Sequence, residues 1–599
     1  APSVVASLGG AQVGALTTDQ VSALTTAQAV ALTSVQAGGV TASQTAAIES
    51  TDLAQITASA FAALTTGVVS TLSGTQVGAL TTDQVKALTT AQAVALTSVQ
   101  AAGVTTVQTG SLESGDLNKL TTSAFAALEP GVVATLNGTQ VGALTTAQVT
   151  ALTTSQAAAL TSTQAVGITT AQTAALESGD LNKLTTDAFA AIATGVIAGL
   201  SSTQVNALTT DQVAALTTAQ AAALTTTQTV GLSSAQVGAL ETADLQKVTT
   251  SAFAAIKTDA IVGLSSAQVS ALTTDQVVAL TTAQSNALTS TQSVGLNTTQ
   301  APTLETGDLS AMTTSGFAAL TEATVAALTS TQVSSLTTDE VKALTTAQAG
   351  ALLAQQLQGI TTSQTAAIES TDLAKMTTSA LVAMAPGVMA TLNSTQFGAL
   401  TTDQVKALTT AQANALTSTQ TVGLTSTQAA VLEGADLAKL STTALSAITT
   451  GAFAAVATGD ITSLSGTQMG ALTSAQVTAL TTSQAAVLGT TQTVGLVSSQ
   501  TAGLETADLA ALTTTAFAAL TTGVVSTLSG AQVGALTTAQ AAALTSTQTA
   551  GLTTSQAAGL ESGDLNKLTT SAFAAIEPSV TAKLSSTQVG ALTSTQVTA

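Results

Sequence analysis

Leu80-Thr81-Thr82-Asp83-Gln84-Val85-Lys86-Ala87 is one octad of a repeat that decides how the whole chain is read. Counting in eights from Leu8 to Leu592 lands on Leu, Ile, Val or Met at every step, without a slip. Residues 1–7 fit as positions two to eight of an octad that lacks its first residue. All nine Phe residues fall at position six, which otherwise holds mostly Val, Ala or Leu, and position eight is mostly Ala or Gly. This pattern predicts that positions one and six face a core and that position eight lets backbones approach closely. Positions two to five and seven, rich in Thr, Ser, Asp and Gln, are expected outside.

A second tier lies above the octad. Octads carrying a Glu and an Asp recur as Glu49/Asp52, Glu113/Asp116, Glu177/Asp180, Glu241/Asp244, Glu305/Asp308, Glu369/Asp372 and Glu433/Asp436, each 64 residues after the last. Glu505/Asp508 and Glu561/Asp564 follow at 72 and 56, so length changes come in whole octads. That is expected where each repeat contacts only its neighbours and one can be added or lost without disturbing the rest. The chain therefore reads as one continuous array over 1–599, a partial unit 1–15 followed by 16–79, 80–143, 144–207, 208–271, 272–335, 336–399, 400–471, 472–535 and 536–591, with 592–599 partial.

A single long helix does not fit, because eight residues advance about 800° and the leucine row would spiral around it. The reading that fits breaks the helix at each octad. Thr at position two caps, Gln at position five completes the capping box, and a helix of about a turn and a half follows. Pro2, Pro130, Pro386 and Pro578 sit at position three, the first helical residue, where proline is best tolerated, while Pro302 at position seven is the exception. The fold class expected is all-α, an elongated solenoid or superhelix with one very short helix per octad. A β-solenoid is the alternative, favoured by the abundant Thr and Val.

Composition narrows function. The 599 residues include no His, Cys, Trp or Tyr, and all 11 basic residues are Lys. The usual general bases, thiolates, metal-binding imidazoles and arginine clamps are missing, so no enzyme is expected. A net charge of -20 opposes binding to phosphate backbones, so no nucleic-acid partner is expected. No apolar run is long enough for a transmembrane helix. The first residues, Ala1-Pro2-Ser3, show no leader sequence and suggest a mature form or a fragment.

The only recurrent charged clusters are the acidic octads. Paired carboxylates beside Ser and backbone oxygens suit Ca²⁺, which makes Glu49, Asp52, Glu113, Asp116, Glu177, Asp180, Glu241, Asp244, Glu305, Asp308, Glu369, Asp372, Glu433, Asp436, Glu505, Asp508, Glu561 and Asp564 metal candidates. The competing reading is structural. Glu takes the N-cap place, Asp takes the capping-box place, and Lys119 pairs with Asp116. No cofactor other than Ca²⁺ is expected. The Thr-Thr and Thr-Ser pairs read as caps or as glycan acceptors.

The Leu-Thr-Thr-x-Gln octads of residues 16–39 and 80–103 resemble the Thr/Ala/Gln-rich repeats of very large bacterial cell-surface and secreted proteins of the adhesin and surface-layer kind. The resemblance covers the whole chain and implies an extracellular location and a mechanical role, with no site residues to carry over. Bacterial ice-nucleation proteins are similar in their nested tiers of octads, and Ser546-Thr547-Gln548-Thr549-Ala550-Gly551 is similar to their local sequence, but their tyrosines are missing here. The function expected is a self-assembling fibre, surface-layer subunit or adhesin stalk. Ice or carbohydrate binding and Ca²⁺-dependent adhesion are the alternatives. Ordinary octads near both termini, where repeat arrays normally carry polar caps, lead to the expectation that copies join one another or that the chain is part of something longer.

Overall fold

The computed structural model describes residues Ala1–Ala599, which form two compact units, Ala1–Leu296 and Asn297–Ala599. The first contains 34 α-helices and three 3₁₀ helices, and the second 34 and four, one helix to each octad. No strand occurs, which overturns the β-solenoid alternative. Thr and Val favour strands only where their side chains pack on a pleated surface; here the same threonines cap helices.

The octad Leu80–Ala87 shows why each helix starts and stops where it does. Leu80 and Thr81 are extended, with φ/ψ of -59°/141° and -72°/160°. The Thr81 hydroxyl accepts from the Gln84 N–H at 3.2 Å, and the Thr81 N–H donates to Gln84 Oε1 at 2.8 Å. This reciprocal capping box satisfies two orphan donors and opens the helix Thr82–Lys86. Ala87 closes it by donating back to Asp83 and Gln84, Leu88 donates to Val85, and the next extended pair begins. Proline obeys the same logic. Pro130, Pro386 and Pro578 are the first residues of their helices. Pro302 belongs to an octad whose helix is a late 3₁₀ turn, Ala301–Thr303, so it too sits near a helix start where no N–H is needed.

No helix exceeds six residues, so none is stable alone. Within each unit a helix packs against those three octads before and after it. Eight of the nine Phe side chains are fully buried there, as are most position-one and position-six residues. The third buried position is not the one composition suggested. Position five, expected outside, lies in the interior along both units; Gln84, Gln148 and Gln404 are each 1% exposed.

Position eight brings backbones together. A Cβ on Gly263 would stand 1.9 Å from the carbonyl oxygen of Ser234, and one on Gly39 would stand 2.0 Å from that of Gly10. No residue has positive φ, so these glycines are required by proximity and not by backbone conformation.

Candidate functional site: the glutamine row and its aspartate breaks

A capping box uses only the oxygen of the Gln side chain. The amide nitrogen of Gln84 donates to the carbonyls of Leu53 and Ile56, both at 2.7 Å and 31 and 28 residues earlier. The same register recurs at Gln148, whose Nε2 reaches Leu117 at 2.8 Å and Leu120 at 3.0 Å, and at Gln404, which reaches Leu373 at 2.8 Å and Met376 at 2.7 Å. One side chain thus starts its own helix and ties it to the chain three and four octads back. Buried amides satisfied at both ends cost little and fix register, whereas either end left open would cost about 1–3 kcal/mol.

The row breaks once per 64-residue unit. Asp52, Asp116, Asp180, Asp244, Asp308, Asp372, Asp436, Asp508 and Asp564 occupy position five, where Gln is expected, and all are buried. Their companions Glu49, Glu113, Glu177, Glu241, Glu305, Glu369, Glu433, Glu505 and Glu561 stand at the N-cap and are exposed. The structure therefore separates each pair between interior and solvent, and it brings no group of three or more acidic, His or Cys side chains together for a metal. The structural reading holds in part: Glu113 takes the N-cap place, but its side chain caps no N–H and Asp116 makes no capping box. Aspartate is one methylene too short to reach back to the N-cap.

What Asp116 does instead is accept from the hydroxyl of Thr90, 26 residues earlier, at 3.0 Å. Burial, reinforced by the charge of the neighbouring Glu, raises the carboxyl groups of Asp180 and Asp244 above the usual range. Burial raises Asp116, Asp372 and Asp508 as well, against the hydroxyls of Thr90, Thr346 and Thr482. Asp436 is pushed up to about 6 by burial first and Glu433 second. The buried Oδ2 atoms of Asp180, Asp372 and Asp508 have no hydrogen-bond partner. Glu340, at position five of an otherwise ordinary octad, keeps the capping box through Oε2 but leaves Oε1 buried without a partner.

Two further octads follow each break without Gln at position five, as in Ala60 with Phe61 and Val68 with Val69, and three follow Asp436, the third carrying Asp460. The octad just before a break is distorted too. Six of the seven 3₁₀ helices lie there, among them Ala42–Ala47, Thr170–Ala175 and Ser498–Gly503. Sequence reading found the acidic octads by their spacing but missed that their aspartates point inward. The signal was available, since Asp holds the place that Gln takes in most octads.

These features define an all-helical repeat protein built from many short helices, with no helix long and apolar enough to cross a membrane. The sequence profile of the ALTTAQ repeat matches residues 3–41, 125–162, 173–210, 181–218, 237–274, 250–282, 301–338, 365–410, 389–426 and 501–538, which together cover just over half of the chain. The chain belongs to the ALTTAQ repeat family. No curated protein matches it in a sequence comparison.

Proposed function

We propose that this protein is a non-enzymatic structural array of the bacterial cell surface or its secreted matrix. In this reading the octads of each unit wind as a solenoid with between three and four octads per turn, and copies associate with one another as a fibre, layer or stalk. The observation that carries the reading is the glutamine register of 28 and 31 residues, repeated along both units. It commits the interior to holding the chain together and leaves no apolar cleft with convergent catalytic groups. The absence of His, Cys, Tyr, Trp and Arg agrees with a mechanical role.

Sedimentation velocity and electron microscopy of the purified chain test this. Concentration-dependent polymers are expected. Dispersed monomers at high concentration would end the self-association reading.

A further inference from the structure

We propose that the aspartates standing in the glutamine row, foremost Asp180, Asp372 and Asp508, each hold a sodium-sized monovalent cation between their carboxylate and the backbone carbonyl 28 residues earlier. Those carbonyls belong to Leu152, Leu344 and Leu480. In an ordinary octad this carbonyl is met by the glutamine amide, as Leu176 is met by Gln204 at 2.7 Å. No donor from the chain reaches the carbonyl of Leu152, Leu344 or Leu480.

Aspartate lacks one methylene, so its oxygens stop about 1.5 Å short of where the amide nitrogen stands. An acceptor then faces an acceptor across roughly 4 Å, a gap spanned by two oxygen contacts of about 2.4 Å, the length that cations of calcium's size make. The direction of the side chain agrees at Asp116, which accepts from the hydroxyl of Thr90 at 3.0 Å, two residues after the carbonyl of Leu88. The three carboxylates are 5%, 2% and 3% exposed, and one oxygen of each has no partner.

Charge selects a monovalent ion. Each site has one carboxylate, because its Glu companion is in solvent, and the helices packed on Asp180 and Asp508 carry no charged residue. A single positive charge neutralises the site. A divalent ion would leave excess charge buried.

Thermal melts of the full chain in sodium chloride and in choline chloride, at equal ionic strength and at a pH well above the aspartate range, test the site. Sodium should raise Tm by several degrees along a saturable curve. A variant with Asn at all nine aspartates carries no negative charge at these positions and should melt alike in the two salts. Should that variant not fold, sodium-23 relaxation of the unmodified protein serves, with excess broadening expected and its displacement by potassium or acid. Equal melting of the unmodified chain in both salts, sodium dependence that survives in the Asn variant, or sodium-23 lines free of broadening would each overturn the proposal.

Discussion

The amide nitrogen of Gln204 donates to the carbonyl of Leu176 at 2.7 Å, across 28 residues, while Gln204 Oε1 accepts from the N–H of Ser201 at 2.8 Å. Because the same side chain opens one helix and holds a distant one, local and long-range structure cannot form independently at that residue. Agreement between the two levels is what makes a sequence specify one structure.

Glu340 isolates the value of that amide. It has glutamine's length and keeps the cap, with Thr337 N–H donating to Oε2 at 2.7 Å, but its buried Oε1 has no partner. Glu340→Gln supplies an amide in register with the carbonyls of Leu309 and Met312, 31 and 28 residues earlier. We expect a gain of about 1–3 kcal/mol at neutral pH, read from urea unfolding. A lower unfolding midpoint in the variant would refute the role given to the amide.

Two glycines of the same chemistry should behave oppositely. Gly263→Ala drives a Cβ to 1.9 Å from the Ser234 carbonyl, so backbone must move, at a cost of about 1–3 kcal/mol. Gly115→Ala meets nothing within 4 Å inside the helix Ser114–Leu117 and should gain up to about 1 kcal/mol. Thermal melts of the two variants check both signs.

Acid should stabilise this protein over a window in which many proteins weaken. The carboxyl groups of Asp116, Asp180, Asp244, Asp372, Asp436, Asp508 and Glu340 are raised in the folded chain, so the folded state binds protons more tightly than the unfolded one. Stability therefore increases as pH falls through the folded values, near 6 for Asp436, and the gain is complete below the unfolded value of about 4. Tm measured in steps from neutral pH downward should rise across that window, and Asp436→Asn should remove the component centred near 6. A Tm that falls steadily over the same range would contradict the burial of these groups.

The octad is expected to be the unit of tolerance. Removing Thr417–Leu424 leaves every later helix in register with its neighbours three octads away, so the circular dichroism melt should stay cooperative with a small change in Tm. Removing Thr417–Gly423, one residue fewer, turns the following octads out of phase with the preceding ones and should broaden or split the transition. Identical melts for the two deletions would count against the packing described.

Much of this was legible in advance, and the gaps have physical causes. Thr at position two, Gln at position five and Pro at position three together marked the helix starts, since each meets a need particular to a helix N-terminus. Phe at position six marked the core. The burial of position five was not foreseen because a capping box accounts for the glutamine oxygen and makes the residue look finished. Counting its two amide donors, which an exposed cap leaves to water, was the available clue. The inward turn of Asp116 was hidden likewise, because a carboxylate near a helix start is usually a surface feature. The 3₁₀ form of Thr109–Ser111 had no signal, its octad Val104–Ser111 differing little from its neighbours.

The absence of left-handed residues has a bearing on how such a chain grows. With no position of positive φ and no cis bond, nothing in an octad needs a private backbone solution. Adding or removing one octad therefore adds or removes a complete instruction for folding, and the steps of 72 and 56 between acidic octads differ from 64 by one such unit each. Length becomes a quantity that a genome can adjust in small whole increments, without inventing new structure each time.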